Sequence, residues 1–264
     1  MIASGSTIAG ACAPPESVAN DPEVVGASQE SLGVRPRPFD VEFTTCEDTA
    51  GITPIARAAA DALVPDAFVL TGASPSAAFI VRLASCRGVS VEGSPSRPAT
   101  VVQVGASILA PDGNTANINN YTGWYYTDHP LLALRLRLIG VNAEWVPALA
   151  YSYTKNAAGT GGSLLVRVPG HPALTIQGEV SEPVASPVVY VSHWWRQGPR
   201  GIVDMTTTLP AISFGSAPVL TITTPSNSEI ARLLGAPSTT FATFHSFSRS
   251  TPELLHVAVE APTP

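Results

Sequence analysis

Lysine is almost missing from this chain. Lys155 stands alone among 264 residues against thirteen arginines, and it falls between a strand-like run and the Gly159–Gly162 turn, where a solvated loop side chain is expected. Charge of either sign is scarce, at 13% of residues with a formal net charge of −6, and no basic stripe forms, which excludes the usual footprint for nucleic acid. No apolar run approaches about 18 residues, so no transmembrane helix is expected. The three cysteines, Cys12, Cys46 and Cys86, are widely spaced with no Cys-x-x-Cys, which argues against zinc. Neither His-Glu-x-x-His nor Gly-x-Ser-x-Gly occurs; Gly93-Ser94-Pro95 and Gly215-Ser216-Ala217 do not make a nucleophile elbow. No metal and no cofactor is therefore expected, and no internal repeat is visible.

What the chain does have is proline (25) and glycine (21) scattered between short apolar runs, the pattern of many strands joined by turns. Residues 1–38 differ: Ala13–Pro38 is rich in Pro, Ser, Glu and Asp without periodicity and reads as a flexible tether, leaving 39–264 as a single β-rich domain. Ala9-Gly10-Ala11-Cys12 is similar to the end of a bacterial lipoprotein signal, which would make Cys12 a lipidation site and the protein secreted or membrane-tethered outside the cytoplasm. The competing reading is a disordered cytosolic tail. If Cys12 takes lipid, Cys46 and Cys86 remain as a pair, each ending a strand-like run (Phe39–Thr45 and Phe79–Ser85); a bridge and two buried thiols are the alternatives.

Three short helices are expected. One runs from Thr53-Pro54 to Leu63, one begins at Asp128-His129-Pro130 and stops at Gly140, and one covers Asn227–Leu234 behind the capping box Ser226-x-x-Glu229. About a dozen strand candidates surround them with little βαβ alternation, so the fold class is α+β, mainly antiparallel and barrel-like.

The order of these elements resembles the acetoacetate-decarboxylase-like superfamily over about residues 39–260. A strand and helix end in Leu63-Val64-Pro65. An aromatic strand, Tyr121–Thr127, leads through Asp128-His129-Pro130 into the helix Leu131–Gly140, and a late strand pair with a Leu-Leu helix follows Ser216-Ala217-Pro218-Val219. The resemblance implies a cavity fold in which a helical Arg-Glu and a Schiff-base lysine just beyond it carry the chemistry. Here Arg137 stands about where the glutamate would be and Asn142 or Glu144 about where the lysine would be; neither can form an imine. Schiff-base decarboxylation is accordingly disfavoured.

The residues that remain for chemistry form two clusters. Around the aromatic strand, alternation would put Tyr121 and Tyr125 on one face and Trp124 and Tyr126 on the other, lining an apolar cavity or simply packing. Asp128 reads as a helix cap and His129 as its neighbour in an acid/base pair or as a surface histidine. Arg135 and Arg137, about 200° apart on a helix, cannot both point inward. Glu144-Trp145 is the candidate replacement for the nucleophile loop. The second cluster is His193-Trp194-Trp195-Arg196, in which alternation pairs His193 with Trp195 and Trp194 with Arg196. The leading expectation is a protein that binds a small organic acid or hydrophobic metabolite, with Tyr121, Tyr125, Trp124, Arg135, Trp145 and Trp195 as binding residues. The alternatives are an imine-free lyase or isomerase using Glu144, Arg137 and His129, and a β-rich adhesion or assembly module. The expected partners are a small-molecule ligand, a membrane through Cys12, and a second copy of the chain.

Overall fold

The computed structural model describes residues 37–114, 116–184, 186–216, 219–241 and 244–260. The tether and Cys12 lie outside these residues. Among the described residues, fourteen strands and three short helices follow one another: β1 (Phe39–Ala56), α1 (Arg57–Asp61), β2 (Ser76–Val91), β3 (Arg97–Ser107), β4 (Ile118–Thr127), α2 (Pro130–Leu138), β5 (Ala143–Trp145), β6 (Ala150–Lys155), β7 (Gly161–Val168), β8 (Leu174–Ser181), β9 (Val188–Gly198), β10 (Gly201–Phe214), β11 (Val219–Thr223), α3 (Glu229–Leu234), β12 (Ser238–Thr240), β13 (Phe244–Ser250) and β14 (Glu253–Glu260).

The expected α+β class holds, and the strands pair into a ring. β1 pairs with β2, β2 with β3, β3 with β4, β4 with β9, β9 with β10, and β10 returns to β1 through β14 and β13. Two pairings, β4 with β9 and β4 with β5, are parallel, so the sheet is mixed rather than wholly antiparallel. A second sheet, β12-β11-β8-β7-β6, lies outside the ring. Two cores result. The inner one joins Phe39, Val41, Phe43, Ile80, Val101, Tyr125, Trp194, Met205 and Leu255 to Leu132 and Leu136 of α2. The outer one joins Phe79, Val81, Leu83, Val102, Val104, Tyr121, Trp124 and Tyr126 to Leu164, Val166, Ile176, Leu220 and Ile222 of the second sheet.

Several local expectations are corrected. The helix expected from Thr53 is strand as far as Ala56, because Thr53–Ala56 complete a fifteen-position pairing with β2; only Arg57–Asp61 is helical. Trp145–Thr154 divides into β5 and β6 at Pro147. Ser228, not Ser226, caps α3, its Oγ accepting from the Ala231 amide at 2.9 Å. Alternation also fails on β4. The β3–β4 register slips at Val104/Gly105, leaving Gly123 as an extra residue, so Tyr121, Trp124 and Tyr126 all face outward and Tyr125 faces inward. Glycine at 105 permits the close approach, since a Cβ there would lie 1.8 Å from the Tyr121 carbonyl oxygen.

Cys46 and Cys86 are bridged. They do not end strands as expected but sit opposite one another in the middle of β1 and β2, with Cα atoms 4.0 Å apart. The bridge closes a sequence separation of 40 residues, for which the chain-entropy account gives about 4 kcal/mol of stabilisation. Thiol labelling of denatured, unreduced protein should modify neither residue, and the double Cys→Ala variant should lose about that stability in urea titration; two reactive thiols would remove the assignment.

Candidate functional site

The ring interior is apolar except at one level. Arg82, on the inward face of β2, donates through Nε and Nη2 to Asp48 Oδ2 of β1 at 2.9 and 2.6 Å, through Nη2 to Glu253 Oε1 of β14, and through Nη1 to Gln103 Oε1 of β3 at 3.4 Å. All four side chains are buried. Burial opposes the Arg82 charge, but the two carboxylates outweigh it and hold the guanidinium more firmly protonated than usual. Burial also raises the pKa of Asp48 and of Glu253, the latter raised further by the charge of Asp48. One guanidinium facing two desolvated carboxylates favours a proton held between the acids. Tyr190 feels the same charges, and burial pushes its hydroxyl up to about 12.

Around this centre, buried polar atoms lack partners. Gln103 is oriented by Arg82, which leaves its amide Nε2 unpaired, and the indole Nε1 of Trp194 is also unpaired. So are the hydroxyls of Thr122 and Thr207 and the Asn120 Oδ1, whereas the Ser250 hydroxyl hydrogen-bonds Glu253 and that of Ser192 faces Tyr190. Strand alternation and register place these residues on the inward face: Ser192 is two residues from Trp194, Thr207 is opposite Ser192, Asn120 is opposite Trp194 and Ser250 is opposite Cys46. Of the unpaired atoms, Gln103 Nε2 and Trp194 Nε1 only donate, the hydroxyls of Thr122 and Thr207 donate or accept, and Asn120 Oδ1 accepts. A buried polar atom without a partner costs roughly 1–3 kcal/mol, so this face carries an uncompensated polar cost.

The residues expected to form the site are dispersed. His129 is buried rather than at the surface and caps α2, its Nδ1 accepting from the Leu132 amide at 3.2 Å, and burial lowers its pKa while the neighbouring Asp128 charge opposes that. Asp128 accepts from the Thr100 amide at 2.9 Å instead of capping the helix. Arg137 is exposed and donates to the Ala143 carbonyl, while Glu144 accepts from the His171 amide at 2.8 Å and faces its imidazole at 3.4 Å. Tyr125 is inside the ring and these two are not, so Arg137, Glu144 and Tyr125 do not converge. Arg135 pairs with Glu92 at 2.7 Å over the Phe39 ring, and Trp145 is half exposed with its indole on the Asp128 carbonyl. Trp195 stacks on His193 as alternation required and donates to Asn119 at 2.9 Å; Arg196 leaves β9 on the face of Trp194, opposite Val203, and its guanidinium reaches the Tyr121 ring. Lys155 ends β6, where it pairs with Glu182 at 3.3 Å.

Sequence reasoning missed Arg82, Asp48, Gln103 and Glu253. The signal for one of them was present: Arg82 is the lone charge in the apolar stretch Ala77–Ala84.

Neither a family model nor a curated protein sequence matches the chain. Solved structures do. The enduracididine biosynthesis enzyme MppR aligns over 88% of this chain and 91% of its own with a TM-score of 0.55 and 13% identity. Other MppR structures hold pyruvate, or the condensation product of pyruvate and imidazole 4-carboxaldehyde. Acetoacetate decarboxylase aligns over 90% of this chain and 96% of its own at TM-score 0.54 and 10% identity. An acetoacetate-decarboxylase-like enzyme from Sphingomonas wittichii RW1 covers 87% and 93%, at 0.51 and 10%.

The chain has the acetoacetate-decarboxylase-like fold. Identity this low speaks for the fold alone, and the inner polar centre is argued from its own residues.

Because the folded pKa of Glu253 is raised, the stability it contributes is present below about 4.5, its ordinary value, and is lost as pH rises through the raised one. Glu253→Gln should therefore melt at or above the wild type at neutral pH, with a difference that grows with pH. Arg82→Met, which strands two buried carboxylates, should cost roughly 3–5 kcal/mol. A Glu253→Gln difference independent of pH would show that the acid is not strained by burial.

Proposed function

We propose that the inner polar centre binds a small oxygen-rich metabolite, an oxo or hydroxy acid, without forming an imine. The observation that carries this reading is the donor-leaning set of unpaired atoms on the inward face, Gln103 Nε2 and Trp194 Nε1 above all, beside a Glu253 able to hold a proton. Carbonyl and carboxylate oxygens satisfy such a set. MppR, with the same fold, binds pyruvate, which supports a ligand of this class. An imine is disfavoured by composition, since the only lysine, Lys155, belongs to the second sheet and is paired with Glu182.

A second reading, an imine-free lyase or isomerase acting on a small keto acid, is favoured by one feature: burial lets Glu253 and Asp48 hold a proton to higher pH than an ordinary carboxylic acid, the state from which an acid donates. The buried disulfide supports an extracytoplasmic setting. No helix among the described residues is long and apolar enough to cross a membrane. A tether through Cys12 and self-association belong to the same proposal.

Calorimetry with acetoacetate and with pyruvate tests the reading. Binding should weaken at least tenfold in Gln103→Leu, and should fall as pH rises through the raised Glu253 pKa, because the deprotonated acid repels an anionic ligand. Borohydride treatment followed by intact-mass measurement should leave Lys155 unmodified. An adduct on Lys155, or affinity indifferent to Gln103→Leu, would discard the assignment.

A further inference from the structure

On the other side of β4 lies a separate cleft of about 580 Å³, lined by Ala59, Ala62, Leu63 and Pro65 around α1, by Leu233 of α3, and by Tyr121, Gly123, Trp124, Asn142 and Arg196. Its size is that of a small-molecule pocket. Leu63, Leu233 and Trp124 supply apolar lining, while Asn142, Arg196, Glu229 and Arg232 are its polar residues. Its polar end is Arg196. That guanidinium lies 5.3 Å from the Tyr121 ring centroid and donates through Nη1 to the Thr122 carbonyl at 2.9 Å, while its Nε is buried without a partner. No carboxylate pairs with it among the described residues; Glu229, at the rim, pairs with Arg232 at 3.9 Å. A half-buried cation with an unmet donor at the end of an apolar slot is an anion receptor.

We propose that this cleft is a second ligand site, for a small amphipathic monocarboxylate whose apolar body lies between Leu63, Leu233 and Trp124 and whose carboxylate meets Arg196 beside the Tyr121 hydroxyl. The site is independent of the inner polar centre: β4 stands between them, with Tyr125 turned one way and Tyr121 and Trp124 the other. One site calls for a compact oxygen-rich molecule and the other for an apolar body with a single charge.

Phenylacetate and its neutral isostere phenylacetamide, titrated calorimetrically into the full chain, test the proposal. Phenylacetate should bind at least tenfold more tightly than the amide. Arg196→Gln should remove that difference. Ala62→Trp, at an exposed position on the cleft wall, should block both ligands without touching the fold and serves if Arg196→Gln unfolds. Gln103→Leu should leave phenylacetate binding unchanged while weakening acetoacetate, so that each site can fail alone. The cleft is not an acid site if phenylacetamide matches phenylacetate in the wild type. Phenylacetate binding that survives both Arg196→Gln and Ala62→Trp overturns the location, and no binding at millimolar phenylacetate overturns the site.

Discussion

Everything inside the ring is organised by Arg82. A guanidinium in an apolar interior is tolerable only if its charge is matched and its donors are met, and here three strands supply the match: Asp48 from β1, Gln103 from β3 and Glu253 from β14. These strands span the ring from the first to the last, so the cluster ties the chain's beginning to its end. Such a centre is a poor device for stability alone, because replacing a buried ion cluster with well-packed apolar residues is often neutral or favourable by about 1–4 kcal/mol. The surplus carboxylate makes the point more sharply. One acid would neutralise Arg82; a second, equally buried, raises the electrostatic cost, and the unpaired hydroxyls and amides around it add more. Strain of this kind concentrates where a ligand or a reaction relieves it.

The disulfide belongs to the same region. Cys46 lies two residues before Asp48 on β1, and Cys86 four residues beyond Arg82 on β2, so the bridge locks the register that brings acid and arginine together. Sliding β1 by one residue against β2 would turn Asp48 out of the ring and leave Arg82 with only Glu253 and Gln103. Covalent register control beside a charged centre is more useful than the same bridge elsewhere in the sheet, since the penalty for misalignment there is an unpaired buried charge rather than a packing defect.

The fold was legible in the chain because its signals are local. Turn residues separate the runs, and aromatic strand, cap, helix and stop follow in order from Tyr121 to Gly140. The bridge was legible as one of two alternatives. The inner centre was not, because its members are far apart in the chain and each has an ordinary local excuse. Asp48 follows Cys46-Glu47 like part of a strand end, and Glu253 follows Pro252 like part of a turn. Arg82 alone stood out, as a charge within an apolar stretch. The error at Glu144 had a different origin: its place in chain order was transferred from the family resemblance, but its side chain turned to His171, outside the ring.

The bulge at Gly123 has the widest consequence. Strict alternation would have put Tyr121 and Tyr125 on one face and produced a single aromatic site. One extra residue reverses the phase halfway along β4, so that Asn120, Thr122 and Tyr125 serve the interior while Tyr121, Trp124 and Tyr126 serve the exterior. The strand also pairs in parallel with β9 over Ile118–Tyr121, which continues the division: Trp194 is inside opposite Asn120, and Trp195 is outside opposite Tyr121. Arg196, opposite Val203, extends its guanidinium past β4 to the Tyr121 ring and completes the cleft. A single backbone irregularity, bounded by Gly105 and Gly123, thus separates two chemically different surfaces on one strand.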